Sequence, residues 1–236
     1  MAALQTIEAG TLLVASAFPD PPFEVVQDGV DTGFDAELMR AVCGQLRLRW
    51  QLTKYDGDDF NGIFDGLRTR SYDAVASGTT ITPEREKVAL FSVPYLESGQ
   101  GLVVNTTLKP HITSTDDLAN EVVGIQVGNT SDIVARELNE DGKLASIRYY
   151  PYPGILDALD DLSAGRIGAV MKLFPVATSL VKDRPDLDVV QEIPTHELLG
   201  VAFAPDNRVL RDAVNEALAN LRESGRFDRL KRRWLD

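Results

Sequence analysis

Cysteine is almost absent from this chain of 236 residues: Cys43 stands alone, which excludes an internal disulfide. Histidine is nearly as scarce, with only His111 and His196, so there is little material for a Cys/His zinc centre, and neither metal nor cofactor is expected. Long apolar runs are missing too. None approaches the roughly 20 residues that a membrane-spanning helix needs. The opening MAALQTIEAG has no basic segment followed by an apolar one, so any export signal is expected to have been removed or replaced. Basic residues are the minority, 24 Lys and Arg against 36 Asp and Glu, for a formal net charge of -12. Such a surface field repels nucleic-acid phosphates and anionic lipid, and neither is expected as a partner. There is no repeat at a solenoid period and no low-complexity segment. No Ser/His/Asp set or pair of carboxylates is evident, so the chain does not read as an enzyme.

What is present is globular composition, 44% hydrophobic and 25% charged, with length for one large or two modest domains. Short apolar runs alternate with amphipathic stretches, the α/β signature of a mostly parallel sheet. TLLVAS reads as a first strand, followed by the loop FPDPPF and a helix over 34–46. In that helix Phe34, Leu38, Val42 and Leu46 recur at helical spacing and make Cys43 a buried structural thiol. RLRWQLTKY reads as a strand, FNGIFDGLRTR as a helix and YDAVAS as a strand. A second βαβ rhythm runs through GLVVN, VVGIQV, the helix SDIVARELNEDG, RYYPY, the helix GILDALDDLSAG and the strand IGAVM. The segments DVVQEIP and LLGVAFAP precede a closing helical pair, VLRDAVNEALANLRESG and FDRLKRRW. Glycine-flanked apolar segments at 99–105 and 200–205 mark two crossings. The expected division is one lobe over 1–100 plus 203–236 and a second over 101–202, with a hinge and a cleft where the chain crosses.

The stretch SGTTITPER, residues 77–85, continues the buried run YDAVAS with a glycine and three threonine hydroxyls and closes on Arg85. Small polar residues cannot extend a core, so the chain turns outward at a rim there. Arginine offers a flat fork of donors that matches a carboxylate or phosphate, and Gly78 with the threonines lets other donors approach the same anion. Pro-Glu-Arg is equally an ordinary helix start with a solvated arginine.

In order along nearly the whole chain, these stretches resemble the type II periplasmic solute-binding proteins, family 3, the polar amino-acid group of ABC transporter receptors. PPFEVVQDGVDTGFDAELMRAV resembles their opening, and SYDAVASGTTITPEREKVALFSVPY their most specific signature. VGIQVGNTSD resembles the loop that opens the second lobe's helix, and LSAGRIGAV the later Gly-Arg strand. The resemblance implies two Rossmann-like α/β lobes joined by two hinge strands. It further implies a periplasmic or extracellular monomer, membrane-associated through a partner or anchor, that closes around a small carboxylate or amino-acid-like ligand and passes it to a transporter permease. Two alternatives share the scaffold: the ligand-binding sensor domain of a membrane receptor, and a cyclohexadienyl dehydratase-like enzyme with Asp20 as its acid.

The resemblance places the ligand's α-carboxylate between Arg85, the hydroxyl and amide of Thr80, and the amide of Thr130. Gly78 and Asn129, which neighbour those contacts, join the set. Independently, GNTSDIVARE puts Thr130 at a helix N-terminus, where amides and the macrodipole favour an anion; capping its own helix is the plainer role. Phe60 falls where the family commonly puts an aromatic platform, or it is simply core. Phe18 is a second candidate for that wall. Asp20, in FPDPPF, either lines the site or forms a turn. Where the family usually ends its Gly-Arg strand in an ammonium-binding aspartate, this chain has Leu173, preceded by Lys172. That substitution is expected to disfavour ordinary α-amino acids unless another acid takes over, Asp20 being the one nominated. Lys172 either meets a second anionic group or is a solvated or salt-bridged strand-end lysine.

Overall fold

A computed structural model describes residues 4–235. Met1, on which the expectation about a leader rests, lies outside the described residues, as does Asp236. The chain divides into two compact units. The first comprises the segments up to Asp56, Asn61–Glu97 and everything from Glu197 on; the second comprises Gly57–Phe60 and Ser98–His196.

The first unit is built on a five-stranded sheet in the order Arg49–Tyr55, Thr11–Ala17, Ala74–Val75, Ala202–Phe203, Leu90–Phe91. Its first three strands are parallel, and Ala202–Phe203 enters antiparallel to both neighbours. Thr11–Ala17 is a mostly apolar run inside the sheet, and all but one of its residues are buried. Helix Phe34–Leu46 follows the predicted bounds and buries Phe34, Leu38, Met39 and Val42 on one face. Gly33 precedes it at φ 119 because nothing larger fits: a Cβ there would lie 2.2 Å from the Phe23 carbonyl oxygen. Burial pushes the Cys43 thiol up to about 12. At pH 8 the native protein is therefore expected to resist thiol-reactive reagents and to react only once unfolded, which a colorimetric thiol assay with and without denaturant checks.

FNGIFDGLRTR is not one helix. It forms a 3-10 turn, Phe60–Phe64, and then a single α-turn, Asp65–Arg68. The two glycines explain the break, since Gly66 lies where a Cβ would strike the Tyr72 ring and Gly62 lies against Tyr55.

The second unit carries the sheet ordered Leu187–Leu199, Leu96–Asn105, Ala169–Leu173, Val122–Gln126, Ser146–Tyr150. The two long strands, Leu96–Asn105 and Leu187–Leu199, each extend past the boundary into the first unit's segments. One apolar cluster gathers Leu102, Val123, Ile125 and Met171 with Ala135 of helix Ser131–Glu140. On the other face Ile155, Leu159 and Leu162 of helix Ile155–Ser163 pack with Val103 and Val170. The alternation of strand and helix read from the sequence is thus an α/β structure with two five-stranded sheets, beside a small hairpin of Val25–Gln27 and Val30–Thr32. DVVQEIP and the first residues of LLGVAFAP, to which the sequence pattern assigns no element, lie in one strand, Leu187–Leu199, whose alternating burial marks a half-exposed edge.

Candidate functional site

Every polar side chain of SGTTITPER has a partner in the first unit except one. Ser77 Oγ accepts from the Ala17 N–H at 3.0 Å, tying the stretch to the end of the central strand. Gly78, at φ 51, turns its N–H onto Asp35 Oδ2 at 2.7 Å. The Thr79 carbonyl accepts from Gly200 at 3.0 Å, and Ile81 N–H donates to the Leu198 carbonyl at 2.8 Å. The Thr80 hydroxyl donates to Glu197 Oε2 at 2.6 Å. Thr82 caps the helical turn Pro83–Glu86 by accepting from Arg85 N–H, with Pro83 preset for the first turn. The exception is the fully buried Thr79 hydroxyl, which finds no partner among the described residues.

That scaffold aims Arg85. Its side chain is buried at 6% exposure rather than solvated. Nη1 donates to the Thr80 carbonyl at 2.9 Å and Nε to Asn61 Oδ1 at 3.2 Å, while the guanidinium carbon lies 5.5 Å from the centre of the Phe64 ring. Two neutral oxygens and an aromatic face therefore fix the plane of the donor fork.

Beneath the loop lies a buried acid. Asp35, the second residue of its helix, accepts from Gly78 N–H and from the Tyr95 hydroxyl at 2.9 Å through the same oxygen, and its other oxygen has no partner among the described residues. Burial pushes this carboxyl up to about 7, against the lowering effect of those two bonds. Burial likewise raises the Tyr95 hydroxyl, with Asp35 and the fully buried Glu24 adding to the rise. Two candidates sit on the loop after the first strand. Phe18 is half-buried with the Lys54 ammonium 4.9 Å from its ring centre, and Asp20 is buried in a tight turn whose backbone pairs with Glu24.

The other candidates belong to the second unit. Phe60 stacks on Tyr152 with ring centres 5.0 Å apart, and its N–H donates to the Val127 carbonyl. Lys172 is buried at 3% exposure, which corrects the solvated reading. Its ammonium donates to Gln126 Oε1 at 2.7 Å and lies 5.2 Å from the Tyr152 ring centre. Gln126 also donates to the Tyr152 carbonyl and accepts from Asn129 Nδ2 at 3.1 Å, so one buried glutamine joins Lys172, Asn129 and the aromatic pair. Leu173, buried beside Lys172, ends its strand opposite Gln100. Gln100, fully buried, donates to Thr130 Oγ1 at 3.2 Å and accepts from the Ser131 hydroxyl at 2.9 Å. The Thr130 hydroxyl thus does not cap its own helix, whose first turn is held from the neighbouring strand.

Sequence reasoning passed over Asn61, Gln100, Gln126, Tyr152, Asp35 and Glu197. Gln126 and Asp35 lie inside VGIQVGNTSD and GFDAELM, and a polar residue closing or opening an apolar run was the available signal.

The profile of the bacterial extracellular solute-binding proteins, family 3, matches residues 12–236. The chain belongs to that family. Among its relatives is the ABC transporter arginine-binding protein 1 of Escherichia coli (strain K12), 30% identical, with the match covering 91% of this chain and 86% of the relative. The L-cystine-binding protein TcyJ of the same organism is 31% identical over 96% of this chain and 83% of its own length. Among solved structures, the ancestral amino acid-binding protein AncCDT-1, a precursor of cyclohexadienyl dehydratase, superimposes with a TM-score of 0.86 at 32% identity, covering 96% of both chains. The family is extracellular, and no helix of the described residues is long and apolar enough to cross a membrane. As a member of that family, the chain is a solute-binding protein.

Proposed function

We propose that this protein captures an amino acid outside the cytoplasm and, as a monomer, delivers it to the permease of an ABC transporter, without transforming it. The observation that carries this reading is Arg85, a buried guanidinium whose fork is fixed by Thr80 and Asn61 at the end of a loop of small and hydroxyl residues. A planar pair of donors in a desolvated setting suits the two oxygens of an α-carboxylate. In this reading Gly78 gives the loop its turn, the Thr80 amide adds a donor, and Thr130 and Asn129 are the further contacts that the family resemblance assigns to the carboxylate. Phe60 with Tyr152 and Lys172 receives the side chain, and Leu173 supplies apolar wall. Phe18 and Asp20 complete the first unit's share. The names of the relatives, which bind arginine and cystine, support the class of ligand.

A thermal-shift screen over the common amino acids tests the reading. A cognate ligand at one hundred times its Kd is expected to add about 2.7 kcal/mol of apparent stability. A screen in which sugars or inorganic anions shift the melting temperature and no amino acid does would overturn it.

A further inference from the structure

Thr80 stands between two opposite charges. Its carbonyl accepts from the Arg85 guanidinium at 2.9 Å, and its hydroxyl donates to Glu197 Oε2 at 2.6 Å. Both charged groups belong to the first unit, and both are tied to one residue of the loop assigned to the ligand's carboxylate. A second charge of ligand-like sign so near that loop would repel a plain carboxylate. It would attract a ligand that carries a cation one carbon away from its carboxylate.

We infer that Glu197 is the acceptor of the ligand's α-ammonium, taking the part that Leu173 cannot play. The inference rests on the carboxylate reading of Arg85 given above. A hydroxyl has one proton and two lone pairs. Because Thr80 gives its proton to Glu197, its oxygen meets any third group as an acceptor, and an ammonium is a donor while a carboxylate is not. Thr80 thus divides its work: the main chain serves the carboxylate end and the hydroxyl, with Glu197, serves the ammonium end. Arginine and glutamate on either side of one threonine reproduce, with signs reversed, the adjacent charges of a zwitterion. Glu197 is half-buried, so its charge is screened less than on an open surface. Leu173 is buried on the second unit's sheet and offers no charge. Asp20, the acid nominated from sequence, sits in a turn closed by its own backbone bonds with Glu24.

Calorimetry on the parent protein, Glu197→Gln and Arg85→Ala decides it, with each common α-amino acid measured beside its des-amino counterpart, such as L-arginine beside 5-guanidinopentanoate. Glutamine keeps the size and the bond to Thr80 but removes the charge, and a melting curve checks that the variant is folded. The parent is expected to prefer the amino acid. Glu197→Gln is expected to lose at least about thirtyfold in affinity for it while its des-amino counterpart binds as well as before or better. Equal loss for both members of the pair, or unchanged amino-acid binding in Glu197→Gln, overturns the inference and leaves the Arg85 reading standing. Retention of both ligands by Arg85→Ala overturns the carboxylate reading instead. A parent that binds only des-amino carboxylates returns the Leu173 expectation to force against Glu197.

Discussion

Arg85→Ala is expected to lose ligand binding by a factor of about thirty to several thousand while the protein stays folded, because removing one partner of a desolvated charge pair costs about 2 to 5 kcal/mol. The fold has little at stake in the guanidinium. The turn Pro83–Glu86 is capped through the Arg85 backbone N–H and Thr82, which alanine keeps, and the side-chain bonds given up include one to a carbonyl and one to an exposed asparagine. Arg85→Lys is expected to be nearly as damaging to binding, since an ammonium cannot present two parallel donors. Calorimetry paired with a melting curve reads both effects. Unchanged affinity in Arg85→Ala with an intact melt would mean that the carboxylate is held elsewhere.

Asp35→Ala is expected to lower stability by about 1 to 3 kcal/mol for each of the two donors it strands, Gly78 N–H and the Tyr95 hydroxyl. Asp35→Asn is more informative, because it keeps an acceptor and removes the titration. In the folded protein this carboxyl titrates near 7, above its ordinary 3.8. The native state therefore holds a proton that the unfolded chain has released, and the stability this contributes is full below about pH 4 and is lost as pH rises through about 7. Within that window the group alone lowers stability by up to about 1.4 kcal/mol per pH unit. Asp73, also raised by burial, acts in the same direction, so the comparison is between parent and variant rather than with a flat line. The unfolding free energy of Asp35→Asn is expected to fall less steeply than the parent's between pH 5 and 8. Superimposable slopes would show that Asp35 is ionised throughout.

The elements that could be read in advance were those whose residues answer to their own neighbours. Helix Phe34–Leu46 announces itself through four apolar residues at helical spacing, and helix Ile155–Ser163 through Ile155, Leu159 and Leu162 followed by Gly165. The strand Ala169–Leu173 and its parallel neighbour Val122–Gln126 are mostly apolar, largely buried runs with a polar residue near the end of each, Lys172 and Gln126. FNGIFDGLRTR misled because its helical spacing is real and its glycines are there for distant rings, Tyr55 and Tyr72. The site shows the same boundary. SGTTITPER draws the eye to Arg85 and Thr80, as a run of small polar residues after a buried strand must. Nothing near Glu197 does so, because its bond to Thr80 spans 117 positions. Gln100 was equally silent: a glutamine in a strand reads as an edge residue until the groups gathered around it are known.

The place of Ala202–Phe203 in the first sheet governs the order in which the molecule can be made. This short strand lies inside the sheet, paired on one side with Ala74–Val75 and on the other with Leu90–Phe91, and next to it Val201 N–H reaches Ser92 Oγ across 109 positions. A ribosome delivers both flanking strands long before the one that joins them. Until then the first sheet waits in two pieces with bare edges, while nearly all of the second unit emerges as one unbroken stretch, Ser98–His196. The later-encoded unit is thus the one whose long stretch is complete first, and the earlier-encoded unit closes over the last strand to arrive. The nascent chain carries two unprotected strand edges through that interval, which is when a holding chaperone has something to hold.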